Sequence, residues 1–334
     1  MKDGGVHIGF TFDLKDDYLA AGHSREDLAE FDKRETIDAL EASLVRLGYQ
    51  VERIGKLDQL IAKLAAGVKW DLVFNIAEGL RGPTRESQIP ALLEARGIPV
   101  TFGDSLCLAV SLHKGHAKRI LRDHGLPTPR FAVVEDADAD LGAISLAYPL
   151  FAKPIAEGTG KGVTAKGKVT NHAELRIVCR RLLECFRQPV LVEEFLPGRE
   201  FTVGVAGTGK KARVLGVMEV ELLPNAEPGA YTFSNKEFYE DRVRYRPAGD
   251  VEARTAAELA LSGYRILDCR DAGRVDLRSD AAGRPQLMEV NPLAGLDPRH
   301  SDLPILCRLH GMDFDSLIRE IVLSASDRLE WGKS

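Results

Sequence analysis

The first hundred residues alternate short apolar runs with amphipathic stretches, and this alternation limits the fold more than any other feature of the chain. In order they read VHIGFTF, RETIDALEASLVRLG, QVERI, LDQLIAKLAA, DLVFNIAEG, ESQIPALLEARG and IPVTFG. Strand, helix and strand repeated in this way predict a parallel sheet with helices on both faces. Leu40, Leu44 and Leu47 share one helical face, and Gly48 stands where a glycine closes a helix. Ligands of such sheets gather beyond the carboxyl ends of the strands. The end of DLVFNIAEG is therefore the first place to look for a site.

From Ser105 a single helical stretch, SLCLAVSLHKGHAKRILRDHG, is predicted to run to Gly125 and the turn LPTP. The strand RFAVVE follows, then a short helix, the strand PLFAKPIA, a glycine-rich loop, the strand GVTAKGKV, the helix NHAELRIVCRRLLECF and the strand PVLVEEF. GREFTVGVAG and KARVLGVMEVELL read as a hairpin around the second of two GTGK tetrapeptides. A polar loop, residues 224 to 249, leads to the helix VEARTAAELALSGYRILDC. Two strands in GRVDLRSDAAGRPQLMEVNPLAG and a closing helix, DFDSLIREIVLSA, complete the chain. The fold class expected is α/β to α+β in three units, 1–104, 105–192 and 193–334, with no internal repeat.

A chain of 334 residues is long for one core, which agrees with several units sharing a cleft. The formal charge of -5 offers no broad cationic surface. Nucleic acid and anionic membrane are thereby disfavoured as main partners, and a small-molecule substrate is favoured. The opening MKDGGVHIGFTFDLKDD places acidic residues in its first apolar stretch, unlike a signal peptide, and no later run reaches membrane-spanning length, so a cytoplasmic protein is expected. Five scattered cysteines lack C-x-x-C or zinc-finger spacing and read as reduced, mostly buried thiols.

The most specific chemistry lies in GRVDLRSDAAGRPQLMEVNP. Alternation puts Arg274 and Asp276 on one face of the first strand and Glu289 and Asn291 on one face of the second. Paired strands would gather two carboxylates, an amide oxygen and a guanidinium. Such donors suit Mg2+, which fills its shell from water and substrate phosphate oxygens; a surface ion-pair ladder is the alternative. In PLFAKPIAEGTGKGV, Lys153 ends an apolar strand before a glycine loop whose successive amides can cradle an anion. Lys161 is followed by Gly162 rather than Ser or Thr, so this is no Walker A loop. PVLVEEFLPGREFTV sets Glu193, Glu194 and Glu200 around Phe195 and Leu196, which suits adenine and ribose or else an edge strand with solvated acids. His113 and His116 lack a third partner at metal spacing.

Lys114, FAKPIAEGTGKGV, VEEFLPGREFTV, GRVDLR and LMEVNPLAGL, taken in order, resemble the ATP-grasp superfamily, and within it the D-alanine-D-alanine ligases. The likeness extends into DLVFNIAEG and PALLEARGIPVTFGDSL. It implies an N-terminal Rossmann-like unit followed by two α+β units that clamp ATP. It implies that Lys114 and Lys153 contact phosphates under a lid formed by Gly158, Gly160 and Gly162. Glu193, Phe195, Leu196 and Glu200 would surround adenosine, and Asp276, Glu289 and Asn291 would hold two Mg2+ ions, with Mn2+ as a substitute. Amino-acid substrates, an acyl-phosphate route, a homodimer through the first unit, and an oxyanion held by Arg274 and amides near Gly295 also follow from the resemblance.

The sequence departs from the family mainly where the amino acids would bind. The usual glycine-rich turn and acidic, serine-containing motif is replaced by TFDLKDDYLAAGHSREDLAEFDKRET, with Glu35 the candidate for the first substrate's amino group. Glu78 and Gly79 stand where histidine and glycine are common, and Thr159 replaces the lid serine. Lys236 in YTFSNKEFYEDRVRY keeps a phosphate role, while the family's tyrosine falls at Glu237 or Phe238. LDPRHSDLP leaves His300 and Ser301 as substrate candidates. The default product is D-alanyl-D-alanine. The alternatives are a related ligase joining a different amino acid or amine, and an ATP-binding protein with degenerate catalysis. Of the two GTGK copies, only 158 to 161 is expected to meet ATP, with Lys161 solvated; 207 to 210 is a hairpin turn.

Overall fold

The computed structural model describes residues 5–24 and 27–331. Its first part contains β1 (His7–Thr11), α1 (Lys15–Ala20), α2 (Arg34–Arg46), β2 (Gln50–Gly55), α3 (Leu57–Ala65), β3 (Leu72–Asn75) and α4 (Gln88–Ala95). The three strands form a parallel sheet in the order β2-β1-β3. Leu40 and Leu44 of α2 are fully buried, and Gly48 follows that helix at a φ of 92°. Residues 98 to 103 were expected as a fourth strand, but only Val100 bridges Val73. Side chains take the backbone groups a strand would use: the Phe102 amide donates to Asp271 at 2.8 Å, and Val100's carbonyl accepts from Arg328 at 2.7 Å. Phe102 turns the chain at a φ of 68°.

The middle part holds α5 (Ser105–Leu112), α6 (Lys114–Asp123), β4 (Phe131–Val134), β5 (Leu150–Pro154), β6 (Lys168–Val169), α7 (His172–Phe186) and β7 (Val190–Glu194). The helix expected from Ser105 to Gly125 breaks at His113, whose ψ of 89° is not helical and whose ring caps the amide of His116. The Lys114 amide donates to the Ile155 carbonyl at 3.0 Å, so the break aims α6 at the end of β5. The sheet order is β4-β7-β5-β6, antiparallel throughout. The strand expected over GVTAKGKV shrinks to the two residues of β6, because residues 165–167 form a 3-10 turn pressed against β5. A Cβ at Gly167 would stand 2.8 Å from the Ala152 carbonyl oxygen. The unit boundary expected after residue 192 falls inside β7, so the middle sheet runs on to Glu194.

The last part contains β8 (Glu200–Ala206), β9 (Arg213–Leu222), α8 (Phe233–Glu237), α9 (Tyr239–Arg242), β10 (Val243–Pro247), α10 (Val251–Ile266), β11 (Ala272–Ser279), β12 (Pro285–Asn291), α11 (Asp302–Leu309) and α12 (Phe314–Trp331). Five antiparallel strands lie in the order β10-β9-β8-β11-β12. Ala253, Ala256, Ala260 and Gly263 let α10 approach this sheet closely. Residues 224 to 249 are more ordered than a polar loop, since they hold two short helices and the edge strand β10. One apolar cluster joins Ile8, Phe10 and Phe74 of the first sheet to Met218, Leu306, Ile318 and Val322. Each such side chain, fully buried, contributes about 1.5 to 3 kcal/mol, so this shared core ties the first sheet to the last part. Four of the five thiols are buried, and all are free. Among the described residues no helix is long and apolar enough to cross a membrane.

Candidate functional site

The register of β11 and β12 builds the centre of the site. Arg274 stands opposite Asn291 and Asp276 opposite Glu289, as alternation on the two strands requires. Asp276 accepts from Asn291 Nδ2 at 3.1 Å and Thr202 Oγ1 at 3.0 Å, and lies 3.2 Å from an Arg274 nitrogen. Burial raises its pKa against the pull of Arg274 and Lys236. Glu289 Oε1 sits 3.0 Å from Lys114 Nζ. Burial would raise this carboxyl too, but Lys114, Lys153 and Arg274 outweigh it and hold it at about 2. Among the described residues no three His, Cys, Asp or Glu side chains form a self-sufficient metal site. Two facing carboxylates and an amide form an incomplete oxygen shell, which fits Mg2+ completed by substrate oxygens.

Lys114, the first residue of α6, also donates to the Glu157 carbonyl and is buried. Lys118, one turn further along the same face, was not anticipated. Its Nζ lies 3.0 Å from Glu193, and Lys153 Nζ lies 2.6 Å from the other oxygen of that carboxylate. Glu193 is 0% exposed and is the counter-ion of the two lysines. Burial raises the Glu193 pKa, and the lysines overcome this to hold it low; burial pulls Lys118 down to about 8 despite Glu193.

The glycine loop after β5 is fastened on both sides. Glu30 from the first part accepts the Gly158 amide, and Arg85 ties Glu30 at 2.9 Å to the Ala156 carbonyl, also at 2.9 Å. On the other side the Phe233 amide donates to Val163. Thr159, Gly160 and Gly162 all adopt positive φ, a turn that glycine accepts without strain. Lys161 is not solvated as expected: it pairs with Glu157 at 3.3 Å.

A cavity of about 170 Å³ opens between this loop, the end of β12 and the first part. Of the expected residues, Gly158, Thr159, Lys236, Arg274, Glu289, Asn291, Gly295, Glu78, His300 and Ser301 reach its wall. Glu35 does not; it is exposed on α2, whereas Thr36 beside it faces inward and donates to Asp297 at 3.0 Å. Asp302 binds Arg274, accepts the Tyr231 hydroxyl at 2.9 Å and lies 3.9 Å from Lys236. Tyr231 is thus the tyrosine beside Lys236 at the wall. Phe238, one of the two expected positions, is 57% exposed, and Glu237 faces His300 at 4.0 Å. The acidic residues Glu30, Asp32 and Glu86 also line the wall, unmarked by any motif. Burial and neighbouring carboxylates raise Glu78 and Glu86, and raise Asp32 to about 7.

Away from that cavity, Phe195 lies between Lys168 Nζ, 4.1 Å from the ring centre, and the Arg278 guanidinium at 5.0 Å. Leu196 is buried beside it, and Glu200 lies 3.5 Å from Arg278. The second GTGK closes the β8-β9 hairpin.

The family model described as the D-ala D-ala ligase C-terminus matches residues 120–323. The chain is 33% identical to a D-alanine-D-alanine ligase of Bordetella petrii, covering 85% of this chain and 84% of that protein. Its identity to the D-alanine-D-alanine ligase of Alcanivorax borkumensis is 31%, with 87% and 88% covered. The fold matches a Bacillus anthracis D-alanine-D-alanine ligase complexed with ATP, with a TM-score of 0.75 at 20% identity over 99% of this chain and 100% of that one. It also matches the VanG D-Ala:D-Ser ligase of Enterococcus faecalis, with a TM-score of 0.73 at 21% identity over 96% and 99%.

Proposed function

Because the chain belongs to the D-alanine-D-alanine ligase family and has its ATP-grasp fold, we propose that it is an ATP-dependent carbon-nitrogen ligase that joins two amino acids, releasing ADP and phosphate. The observation that carries this reading is the facing of Asp276 by Glu289, and of Arg274 by Asn291, with Lys114 at 3.0 Å from Glu289. A fold alone does not determine function, whereas this arrangement is a chemical one.

In this reading Lys114, Lys153 and the amides of Thr159, Gly160 and Gly162, which the loop's own hydrogen bonds leave available, receive the phosphate chain, and Asp276, Glu289 and Asn291 hold Mg2+. When bound, ATP and Mg2+ supply a phosphoryl group that activates a substrate carboxylate as an acyl phosphate, with its charge neutralised. Arg274 is fixed by Asp276 and Asp302, while its buried Nε lacks a hydrogen-bond partner among the described residues. That guanidinium is suited to stabilise the oxyanion formed when the second amine attacks. Glu78 offers a counter-charge for the first substrate's ammonium group. Asp32, raised to about 7, is suited to take the proton of the attacking amine. Lys236 lies where it can bind a substrate carboxylate or phosphate.

The test is ADP release with ATP, Mg2+ and D-alanine, with the product identified by mass. Glu289→Gln should abolish release while leaving the far-ultraviolet circular dichroism unchanged. Normal release by that variant would overturn the metal assignment, and no release from D-alanine by the parent chain would exclude D-alanyl-D-alanine as its product.

A further inference from the structure

We propose that one of the two amino acids joined here is a short diamino acid, whose side-chain ammonium is recognised by Glu86, with Ser111 on the same cavity wall. The proposal rests on the ligase reading above and names the substrate class of the same cavity. It follows from an account of the charges on the wall.

Most of the acids there already have partners. Glu289 is matched by Lys114, Asp302 by Arg274 and Glu30 by Arg85. Asp297 accepts from Thr36 and from the amides of Arg299 and His300, and so holds its own loop. Glu237 faces His300 at 4.0 Å, and the remaining carboxylates, Asp32, Glu78 and Glu86, belong to the cavity itself.

Joining two neutral amino acids calls on at most two of these three. The first substrate's ammonium needs one anion, and the attacking amine must lose its proton to one acceptor before it can react. The substrate carboxylates require cations, not acids. One carboxylate is left over. Glu86 is nine-tenths buried and makes no hydrogen bond or close ion pair among the described residues; burial raises its pKa over the longer-range pull of Arg85 and Lys114. A carboxylate withdrawn from water is unfavourable unless a cation or donor meets it. Ser111 gives a second, independent sign at the same wall: its hydroxyl is buried and also lacks a partner among the described residues. An ammonium group satisfies both, donating one charge-assisted hydrogen bond to Glu86 and another to the Ser111 oxygen.

Size restricts the ligand. The cavity of about 170 Å³ holds roughly ten water-sized volumes of ~15 Å³ each. Two amino acids with short side chains fit such a space, so 2,3-diaminopropionate and ornithine are better suited than longer, branched cations.

ADP release is measured with ATP and Mg2+ for pairs drawn from the D- and L-forms of alanine, serine, 2,3-diaminopropionate, ornithine and lysine, each product being weighed by mass spectrometry. A pair containing a diamino acid should exceed the best neutral pair by about tenfold or more in kcat/KM, the size of one net hydrogen bond. Glu86→Gln should reduce that ratio by about tenfold, chiefly through the KM of the diamino acid. The variant should also lose the rise in melting temperature that the diamino acid gives the parent chain, a readout independent of turnover. Glu86→Gln is expected to fold, because burial already favours the uncharged form of this side chain and glutamine keeps its size, and its melting curve without substrate checks this. Neutral pairs that equal or exceed the diamino pairs, or an unchanged ratio in Glu86→Gln, overturn this proposal and leave the ligase reading standing. Absence of ADP release with every pair overturns both.

Discussion

Glu193→Gln tests whether the lysine pair behind the cavity depends on one buried carboxylate. The wild-type oxygens lie 2.6 Å from Lys153 Nζ and 3.0 Å from Lys118 Nζ, and Glu193 is 0% exposed. Removing one member of a buried ion pair leaves an uncompensated charge, which destabilises by about 3 to 5 kcal/mol. An unfolding entropy of about 2.1 cal/mol/K per residue gives about 0.7 kcal/mol/K for 334 residues. The melting temperature should therefore fall by about 4 to 7 °C near pH 6.

The pH dependence follows from the direction of each shift. Glu193 is held below its ordinary value, so its contribution is present above the unfolded pKa of about 4.3 and disappears as pH falls through the folded value. The gap between parent and variant should close in acid. On the alkaline side, burial already lowers Lys118 to about 8 with Glu193 opposite it. Without that carboxylate the lysine releases its proton at lower pH. The unfolded chain then binds more protons than the folded one up to about pH 10.4, so the variant gains stability as pH rises. Circular-dichroism melts at about pH 4, 6 and 9 should show the largest gap in the middle. A gap under about 1 °C near pH 6, or one that widens toward pH 9, would refute the account.

Three further outcomes are expected. Gly158→Ala would place a Cβ 2.8 Å from Glu30 Oε1 and unseat the loop, so limited proteolysis within residues 155 to 164 should accelerate by about tenfold; an unchanged cleavage rate would show that Glu30 does not fasten it. Tyr231→Phe removes the 2.9 Å hydrogen bond to Asp302, and loss of about 1.5 to 3 kcal/mol should lower the melting temperature by about 2 to 4 °C. Phe195→Ala removes the ring between Lys168 and Arg278, and loss of base stacking worth about 1 to 3 kcal/mol should raise the KM for ATP between about 5-fold and 150-fold. A KM that does not move would take adenine away from this patch.

Elements whose pattern is local were legible in the sequence. The leucine face of α2, the alternation of β8 with β9 and that of β11 with β12 each lie within one short segment, and they appear as expected. Failures occurred where a partner far along the chain decides the outcome. Residues 98 to 103 have strand composition, yet Asp271 and Arg328 take their backbone groups. The helix from Ser105 breaks because the carbonyl of Ile155 receives the Lys114 amide. Short α11, which carries Asp302, was missed between a proline-containing loop and the more obvious closing helix.

The same distinction separates the two halves of the site. Lys153 and the metal candidates stand at strand ends inside compact motifs, so residue type and spacing carried the information. One missed residue on that side had a readable signal, since Lys118 follows Lys114 by one helical turn and must share its face. The amino-acid half has no such signal. Glu30 meets Gly158 across 128 positions, and Thr36 meets Asp297 across 261. Glu35 was the natural choice for substrate because it is acidic and near the family's motif, but helical geometry turns it outward and Thr36 inward. A carboxylate becomes a recognition group when the fold withdraws it from water and supplies no partner, and that condition depends on burial rather than residue type. Glu86 meets it and Glu35 does not, although both are glutamates on the first turns of helical segments.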